Sequence, residues 1–502
     1  MKNLLVFLLF SLLTFSVFPQ NSEGFPSLEP FFYYKDGELS PDDFILSGLE
    51  FSLCPPESDA AKASLAKFKA LEAEVKSDSF MSLPEEERGE KILTLMYEKL
   101  LTRYKSMQTR LDVMFQDGTY NCVSSSVLYF ALAKAAALDV HAVEAPEHAF
   151  CTLYLPDGRK IDVETTNPIG FYTGTKRKIQ ASENPNHYYV ATKKNYSKRH
   201  EISERKLISL IGGNIATLNE KKRNYELSIP MEASVMVFLE KSSEEDQEYA
   251  RKEFDGFAKN YANFLNKQKN FELALDWLDS VENRWGKAAL SGYADIYNDI
   301  TYNCVVNLTN KKKAEKAQEF FDAKKDKIDE KTRKQISEMI FFSKIDENTE
   351  GMEAEEAIAF IQESKKSPEA KDGKIAKKLE SREEYYWSKK AEPLSKEEKF
   401  LEAAAIMGEG LKSLPNNRNL QIIRKQNLNN YAVLIHNQFV NLFNTEKFDE
   451  AEELLNEGLK TVPQNITLQR DLKMLKSKKN AIATRKDTAV PHLRSTAATE
   501  NR

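Results

Sequence analysis

Three stretches decide the fold of the first part of this chain: TYNCVSSSVLYFALAKAAALDV at residues 119–140, PEHAF at residues 146–150, and IDVETTNPIGF at residues 161–171. In the first stretch, apolar residues recur every three or four positions and predict a helix over residues 122–137. Short strands are predicted over residues 140–143, 148–155 and 160–165, with a hairpin turn at Pro156-Asp157-Gly158. A helix followed by such strands predicts an α+β core.

The same stretches place a thiol, an imidazole and two carboxylates on this predicted core. Cys122 begins the helix, where the helix dipole favours a thiolate and backbone N–H groups are unpaired. His148 lies on the following strand. Asp162 and Glu164 lie two residues apart on the returning strand, so both face the same side. A nucleophile, a base and an orienting acid are the parts that a cysteine hydrolase or acyltransferase needs.

With these residues, the three stretches resemble the transglutaminase-like superfamily. The nearest branch is the bacterial one that couples this domain to tetratricopeptide repeats and is related to the SirB-type N-terminal domain. The resemblance covers residues 90–175 strongly, and the later part of the chain in architecture. It implies a papain-like fold in which Cys122 is the nucleophile and His148 the base. Calcium loops like those of animal transglutaminases are absent, so no metal or other cofactor is expected.

Two carboxylates compete for the third role. The family's strand pair, aligned without gaps, places its acid on Glu164. A two-residue loop at Asp157-Gly158 would make paired residue numbers sum to 315, whereas His148 with Glu164 gives 312 and His148 with Asp162 gives 310. A bulge absorbs the smaller offset more easily, so Glu164 is favoured and Asp162 is kept as the alternative.

An oxyanion also needs donors. The backbone N–H of Cys122 is one candidate. Gln116 is the other, because it lies six residues before the cysteine, as a Gln does in papain-like enzymes.

Internal repetition marks the chain from residue 206 to residue 478, which is predicted to be helical. Residues 400–417, FLEAAAIMGEGLKSLPNN, and residues 448–465, FDEAEELLNEGLKTVPQN, are identical at nine of eighteen positions. Weaker copies of the opening occur at Phe271, Ala314 and Ala354, and a further unit is expected around Tyr225. Each unit is predicted to be a pair of helices, as in tetratricopeptide repeats, although the spacing exceeds the usual 34 residues. An irregular helical bundle is the alternative.

Details of the two best copies support helix pairs. Ala403 and Ala451 would let two helices approach closely. Pro415 and Pro463 are expected to end the second helix of each pair.

The N-terminal sequence and the composition indicate the cell compartment in which such a protein acts. Leu4 to Phe18 is almost unbroken apolar sequence after Lys2, which predicts a signal peptide over residues 1–20, either cleaved or kept as an anchor. No other segment is expected to span a membrane. The chain has 72 Lys and Arg against 77 Asp and Glu, a net charge of −5, so it lacks the basic excess of a nucleic-acid binder. Export to the periplasm or cell envelope is expected.

Four widely spaced cysteines match no metal-binding pattern; they are Cys54, Cys122, Cys151 and Cys304. If Cys122 stays a free thiol, the other three cannot all pair, so the chain is not a disulfide scaffold. Cys151 is interpreted as a core residue, because it lies three positions past His148 and faces away from the site on a regular strand.

The sequence therefore predicts five parts: a signal peptide at 1–20, a wrapping and helical segment at 21–85, the transglutaminase-like domain at 86–205, tetratricopeptide-like repeats at 206–478, and a disordered tail at 479–502. The predicted function is an exported cysteine hydrolase or acyltransferase that acts on a protein or peptide amide, while the repeats bind a protein partner. Hydrolysis is favoured over crosslinking, because water is the default acceptor. The competing hypothesis is an inactive, partner-binding scaffold of the cell envelope.

Overall fold

A computed structural model describes residues 24–32, 37–171, 198–286 and 291–488 of the chain. The predicted signal peptide lies outside these residues. The chain divides into two compact units, Met1–Cys304 with Lys324–Asp329, and Val305–Ala323 with Glu330–Arg502. The described residues are mostly helical, with small sheets near the middle of the first unit. Within this part of the chain, no helix combines the length and apolar character needed to cross a membrane.

The elements up to the sheets' last strand are α1 Pro41–Phe51, α2 Asp59–Val75, α3 Asp78–Met81, α4 Glu85–Lys99, β1 Arg103–Tyr104, α5 Leu111–Asp117, β2 Thr119–Tyr120, α6 Cys122–Ala135, β3 Asp139–Ala145, β4 His148–Tyr154, β5 Lys160–Val163 and β6 His200–Ile202. The helices that follow are α7 Glu204–Lys221, α8 Tyr225–Leu239, α9 Glu244–Lys267, α10 Phe271–Trp285, α11 Tyr293–Asn310, α12 Ala314–Lys324, α13 Glu330–Thr349, α14 Ala354–Ser364, α15 Gly373–Lys396, α16 Phe400–Ser413, α17 Arg418–Asn444, α18 Phe448–Thr461 and α19 Ile466–Thr488.

Helix α6 is the centre of the first unit. Its predicted apolar face is buried, and so are nearly all its other side chains. A helix that is apolar on every side must be covered on every side. Helices α1, α2, α4 and α7 and the sheet strands β3 and β4 pack around it. The helix ends where Ala137 takes a left-handed conformation with φ 51°.

The larger sheet has the order β5-β4-β3-β6, and its neighbouring strands are antiparallel. The predicted two-residue loop between β4 and β5 is wrong. Leu155 N–H donates to the Arg159 carbonyl at 2.9 Å, so the turn has three residues, 156–158. Gly158 supplies the left-handed position at φ 82° that such a turn requires. Opposed residues therefore have numbers that sum to 314, as in Thr152 opposite Asp162.

The helical spacing of Ile92, Leu95 and Met96 in the sequence predicts one long helix over residues 87–115, and this prediction is also wrong. Helix α4 ends at Lys99, and Arg103 and Tyr104 pair in parallel with Thr119 and Tyr120. This pairing satisfies backbone N–H and C=O groups that a helix would have paired internally, and it requires partners sixteen residues away in the chain. The apolar spacing alone does not show that the helix ends at Lys99, because Ile92, Leu95 and Met96 would be buried in one long helix just as they are in α4.

Other boundaries differ from those predicted. Strand β6 was not foreseen, and it pairs with the edge of β3. The first compact unit continues to Cys304, so it contains the first helices after β6 as well as the sheets. The tail predicted from residue 479 is helical as far as Thr488, and the rest of it lies outside the described residues.

The predicted helix pairs are confirmed by where the helices begin. Each predicted opening is the first residue of a helix: Tyr225 (α8), Phe271 (α10), Ala314 (α12), Ala354 (α14), Phe400 (α16) and Phe448 (α18). A second helix follows each of them. Ala403 and Ala451 are fully buried, as close helix packing requires. The role predicted for the prolines is wrong, because Pro415 and Pro463 follow the first helix of each pair and not the second. Pro415 lies two residues past the end of α16, where it stops that helix, and Asn417 then caps the next one.

Two glycines of α16 provide a matched test of this packing. A Cβ at Gly410 would lie 2.9 Å from the Trp387 ring and 3.1 Å from Leu420, whereas a Cβ at Gly408 would have Arg424 Nε at 3.7 Å as its nearest neighbour. Gly410→Ala is therefore expected to lower the free energy of unfolding by about 1–3 kcal/mol through overpacking. Gly408→Ala should raise it by about 0.5–1 kcal/mol through helix propensity. Urea unfolding of both variants measures the difference, and equal shifts would contradict the close packing.

Candidate active site

The thiol lies at the first residue of α6 because of a local cap. Asn121 has an extended backbone, and its side-chain oxygen accepts hydrogen bonds from the N–H groups of Val123 and Ser124 at 3.1 and 3.0 Å. The Ser124 hydroxyl accepts from the Asn121 N–H at 3.0 Å, which completes a capping box. Cys122 is thereby fixed at the positive end of the helix, with a partly exposed side chain.

The imidazole follows a tight turn between β3 and β4. Ala145 pairs with His148, so the turn consists of Pro146 and Glu147 alone. Glu147 has φ 61°, a left-handed conformation that usually favours glycine. The turn places His148 at the very start of β4. This end of the sheet is the one close to the N-terminus of α6.

His148 lies between the thiol and a carboxylate. Its Nε2 is 2.8 Å from Oε2 of Glu164, and both side chains are almost completely buried, at 1% and 2% exposure. The ring also forms a hydrogen bond with the Cys122 side chain. Since Nε2 faces Glu164, the other ring nitrogen, Nδ1, is the one left for the sulfur. The structure thus brings together Cys122, His148 and Glu164.

Glu164 is itself held in position from its other oxygen. Oε1 accepts from the Thr166 hydroxyl at 2.6 Å and from the Thr166 N–H at 3.2 Å. Its backbone N–H donates to the Gly170 carbonyl at 2.9 Å. Both carboxylate oxygens therefore have partners, and the one facing His148 has its direction set by Thr166. Thr166 was not foreseen; the only signal is its position two residues after the acid, where a hydroxyl can reach back.

The surroundings determine the charge of His148. Burial lowers the pKa of this imidazole, but hydrogen bonds to Cys122 and Glu164, together with the negative charges on both, outweigh burial and raise the pKa to about 10. The ring is therefore positively charged at neutral pH. A cationic imidazole beside a sulfur is the arrangement that favours the nucleophilic thiolate.

Three hydroxyls fasten the thiol-bearing helix to the acid-bearing segment. The Ser125 and Ser126 hydroxyls lie 2.8 and 2.9 Å from Oγ1 of Thr165, next to Glu164. Ser126 also donates to the Ala149 carbonyl at 3.2 Å, next to His148. The serines after the cysteine thus make the structural hydrogen bonds that α6 needs to keep the three site residues in register.

Asp162 has a different environment. It lies opposite Thr152, whose hydroxyl donates to it at 2.9 Å, and it pairs with Arg199. These partners hold it two residues nearer the hairpin turn than Glu164. The reason is the hairpin register, in which the numbers of opposed residues sum to 314 and not to the 315 that the predicted two-residue loop gives.

Gln116 does not join the site. It is exposed in α5, where Leu111, Met114 and Phe115 form the buried face and residue 116 falls on the solvent side. Among the described residues, its side chain makes no hydrogen bond to Cys122, His148 or Glu164. The N–H of Cys122 stays the candidate oxyanion donor, because the cap uses the next two N–H groups and no described residue accepts from this one.

Gly170 tests how closely the acid is held. A Cβ at this position would lie 1.9 Å from the Glu164 carbonyl oxygen, a backbone atom that cannot rotate away. Gly170→Ala is expected to displace the Glu164 segment, to lower the free energy of unfolding by about 2 kcal/mol, and to slow Cys122 alkylation. Gly213→Ala is the control, because a Cβ there meets nothing within 4 Å. Unchanged unfolding and alkylation in Gly170→Ala would contradict the packing around Glu164.

The other three cysteines lie apart from the site formed by Cys122, His148 and Glu164. Cys54, Cys151 and Cys304 are buried free thiols, and burial raises the pKa of each. In the part of the chain that the structure describes, no group of three His, Cys, Asp or Glu side chains could hold a metal ion. Comparison with known proteins gives no relatives: no family model, no curated protein and no solved structure matches this chain.

Proposed function

We propose that this protein is a transglutaminase-like cysteine hydrolase or acyltransferase that acts on a protein or peptide amide. The observation that supports the proposal is the position of His148, hydrogen-bonded to the Cys122 thiol and 2.8 Å from a buried Glu164 carboxylate. A buried carboxylate that orients a histidine beside a partly exposed thiol serves nucleophilic catalysis. A single buried histidine in a structural role would not need the thiol.

In the proposed reaction, the Cys122 sulfur attacks the amide carbonyl carbon and forms a tetrahedral oxyanion. The Cys122 N–H at the α6 terminus donates to that oxygen. The carbon–nitrogen bond then breaks, the proton on His148 goes to the leaving amine, and a thioester remains. Water attacks the thioester while His148 takes its proton, which releases a carboxylic acid and restores the thiol; an amine in place of water gives a new amide.

Probes that carry an electrophile next to a peptide amide test this proposal. A small library of peptidyl vinyl sulfones is incubated with the full chain, and intact-mass spectrometry with peptide mapping locates the adduct. Sequence-selective modification of Cys122 supports an amide-directed enzyme. Cys122→Ala is the baseline, and Asp162→Asn is the matched control whose modification should equal that of the natural sequence. Modification of Cys122 without any preference among peptides would reject a peptide-directed enzyme.

The helical pairs are proposed to bind a protein or peptide partner, and the chain is proposed to act after export. Pairs that start at regular intervals along the second unit build a repeated helical surface, which supports the first of these. The apolar stretch after Lys2 supports the second. Fusion of residues 1–24 to a reporter enzyme and fractionation of the cells test export; a reporter that stays in the cytoplasm would reject it.

An inactive scaffold is the second candidate, favoured by the helical pairs alone. The two candidates differ in one measurement. A scaffold predicts that Cys122 reacts slowly and that the rate is equal in the natural sequence and in His148→Ala. The proposed enzyme predicts a rate that depends on His148.

A further inference from the structure

Met107 is the third residue of a hydrogen-bonded turn, residues 105–108, that is fastened beside the proposed nucleophile. The side chain of Asn121 caps α6 through its oxygen, and its nitrogen donates to the Ser106 carbonyl at 3.3 Å. Met107 and Cys122 each lie one residue, about 3.8 Å of chain, past this hydrogen bond. The turn that carries Met107 is therefore held next to the start of the thiol-bearing helix.

Ile169 has the same third position in another turn, residues 167–170, that is fastened to the proposed acid. The Gly170 N–H donates to the Asn167 carbonyl at 3.2 Å and closes this turn. The Gly170 carbonyl in turn accepts from the Glu164 N–H at 2.9 Å. The turn that carries Ile169 is therefore held against the backbone of the acid.

Tyr120 connects the two turns. Its backbone carbonyl accepts from the Lys105 N–H at 2.8 Å, in the turn that carries Met107. Its hydroxyl donates to the Thr166 carbonyl at 3.0 Å, in the residue just before the turn that carries Ile169. Tyr120 is completely buried and lies two residues before Cys122 in the chain. Both turns are thus anchored on one buried residue close to the start of α6.

The side chains at these two positions are apolar and open to solvent. Met107 is 61% exposed, and Ile169 is 41% exposed. In the part of the first unit that the structure describes, the other exposed large apolar side chains are Met81 and Tyr302. A single exposed apolar residue is ordinary on a protein surface. Two of four on turns fastened to the thiol and to the acid indicate a surface that contacts the substrate.

We propose that Met107 and Ile169 determine specificity for the acyl residue, which is the substrate residue whose carbonyl carbon Cys122 attacks, and that this residue has a large apolar side chain such as phenylalanine or leucine. The assignment rests on the proposed function, because the acyl residue is the one bonded to the sulfur in the thioester and so stays beside the turn of Met107. A thioether side chain adapts to apolar partners of different shape, whereas the β-branched Ile169 is stiff. Contact with an apolar substrate removes both from water.

Two peptidyl vinyl sulfones, identical except for phenylalanine or serine next to the electrophile, test this specificity. The rate of Cys122 modification is divided by the iodoacetamide rate of the same variant, so that only peptide recognition is compared. The phenylalanine probe should react about tenfold faster, because it buries an apolar side chain. Met107→Ser should lower this preference about fivefold, while Met81→Ser, the matched control, should retain it. No preference for phenylalanine, or an equal preference in Met107→Ser, would overturn the assignment.

NMR of ¹³C-methyl methionine detects the contact without catalysis. The Met107 signal is identified among the eleven methionines by its absence from Met107→Ser. A peptide amide with phenylalanine as the acyl residue, titrated into Cys122→Ala, should shift this signal saturably through the ring current and leave the Met81 signal in place. The serine analogue should shift it much less. A Met107 signal that neither peptide shifts, or that both shift equally, would contradict an apolar subsite.

The two proposals fail separately. The NMR titration uses a variant without the thiol, so it does not depend on catalysis. Selective modification of Cys122 by other peptides, without a preference for phenylalanine, overturns the apolar subsite and leaves the proposed enzyme. A saturable shift of the Met107 signal with an unreactive Cys122 supports apolar recognition at this turn and overturns its place in an amide cleavage.

Discussion

Iodoacetamide is expected to alkylate Cys122 in the native protein at pH 6 about ten times faster than in His148→Ala. At this pH an ordinary thiol with a pKa near 8.5 is less than about 1% thiolate. In the natural sequence His148 is protonated at neutral pH and hydrogen-bonded to Cys122, so its charge favours the thiolate. The gain in thiolate is partly offset by the lower nucleophilicity of a stabilised thiolate, which is why a modest factor is expected.

The remaining cysteines make this measurement clean. Cys54, Cys151 and Cys304 are buried, so a short exposure to reagent should modify a single site. Mass spectrometry of tryptic peptides identifies that site, and Cys122→Ser gives the background. A second readout is the same comparison at pH 7 and at pH 8, where His148 keeps its proton and the natural sequence should still react faster than His148→Ala. Equal rates in the two proteins would rule out an activated thiol.

Replacement of the buried acid is expected to have the largest effect on stability. Glu164→Gln leaves the charged imidazole of His148 buried without its carboxylate, and breaking a buried pair of this kind costs about 3 kcal/mol. Asp162→Asn is the matched control: it lies two residues earlier on the same hairpin, is one-fifth exposed, and should cost less than about 1 kcal/mol. Urea unfolding at pH 7 measures both variants. Equal losses would show that Glu164 has no special relation to His148.

The proton on His148 gives this prediction a pH dependence. Its folded-state pKa of about 10 lies above the ordinary value of 6.5, so the bound proton stabilises the folded chain fully below pH 6.5. That contribution is lost as the pH rises through about 10. NMR of ¹³C-labelled histidine follows the titration, and the signal missing from His148→Ala identifies the residue among the six histidines. In Glu164→Gln the midpoint should fall; an unchanged midpoint would contradict the role of the carboxylate.

How far the site could be read from the sequence differs from residue to residue. Cys122 was predicted at a helix start, and His148 at the start of a strand, from turn residues and apolar spacing alone; both elements begin where expected. The choice between Asp162 and Glu164 depended on hairpin register, and the loop count behind it was wrong by one residue. The register became clear only in the structure, from the β4–β5 pairing and the hydrogen bond between Leu155 and Arg159.

The positions of side chains that depend on contacts between distant parts of the chain were not predicted. Thr166 supports the acid, and Thr165 fastens it to α6, through hydroxyls whose partners depend on how the chain turns after β5. Gln116 was placed near the thiol by its sequence distance, but the phase of α5 turns it to solvent. The number of residues between two side chains does not show which way each one points when a turn, here at Gly118, separates their helices.

The sequence by itself determined the helix starts of the repeated pairs and the helix that bears the thiol, because caps, prolines and apolar periods act within one or two turns of chain. The tertiary structure alone decided which carboxylate meets His148 and where α4 ends. Those features depend on side chains far apart in the chain, whose meeting is set by packing around α6 and by strand register, and no local propensity specifies either.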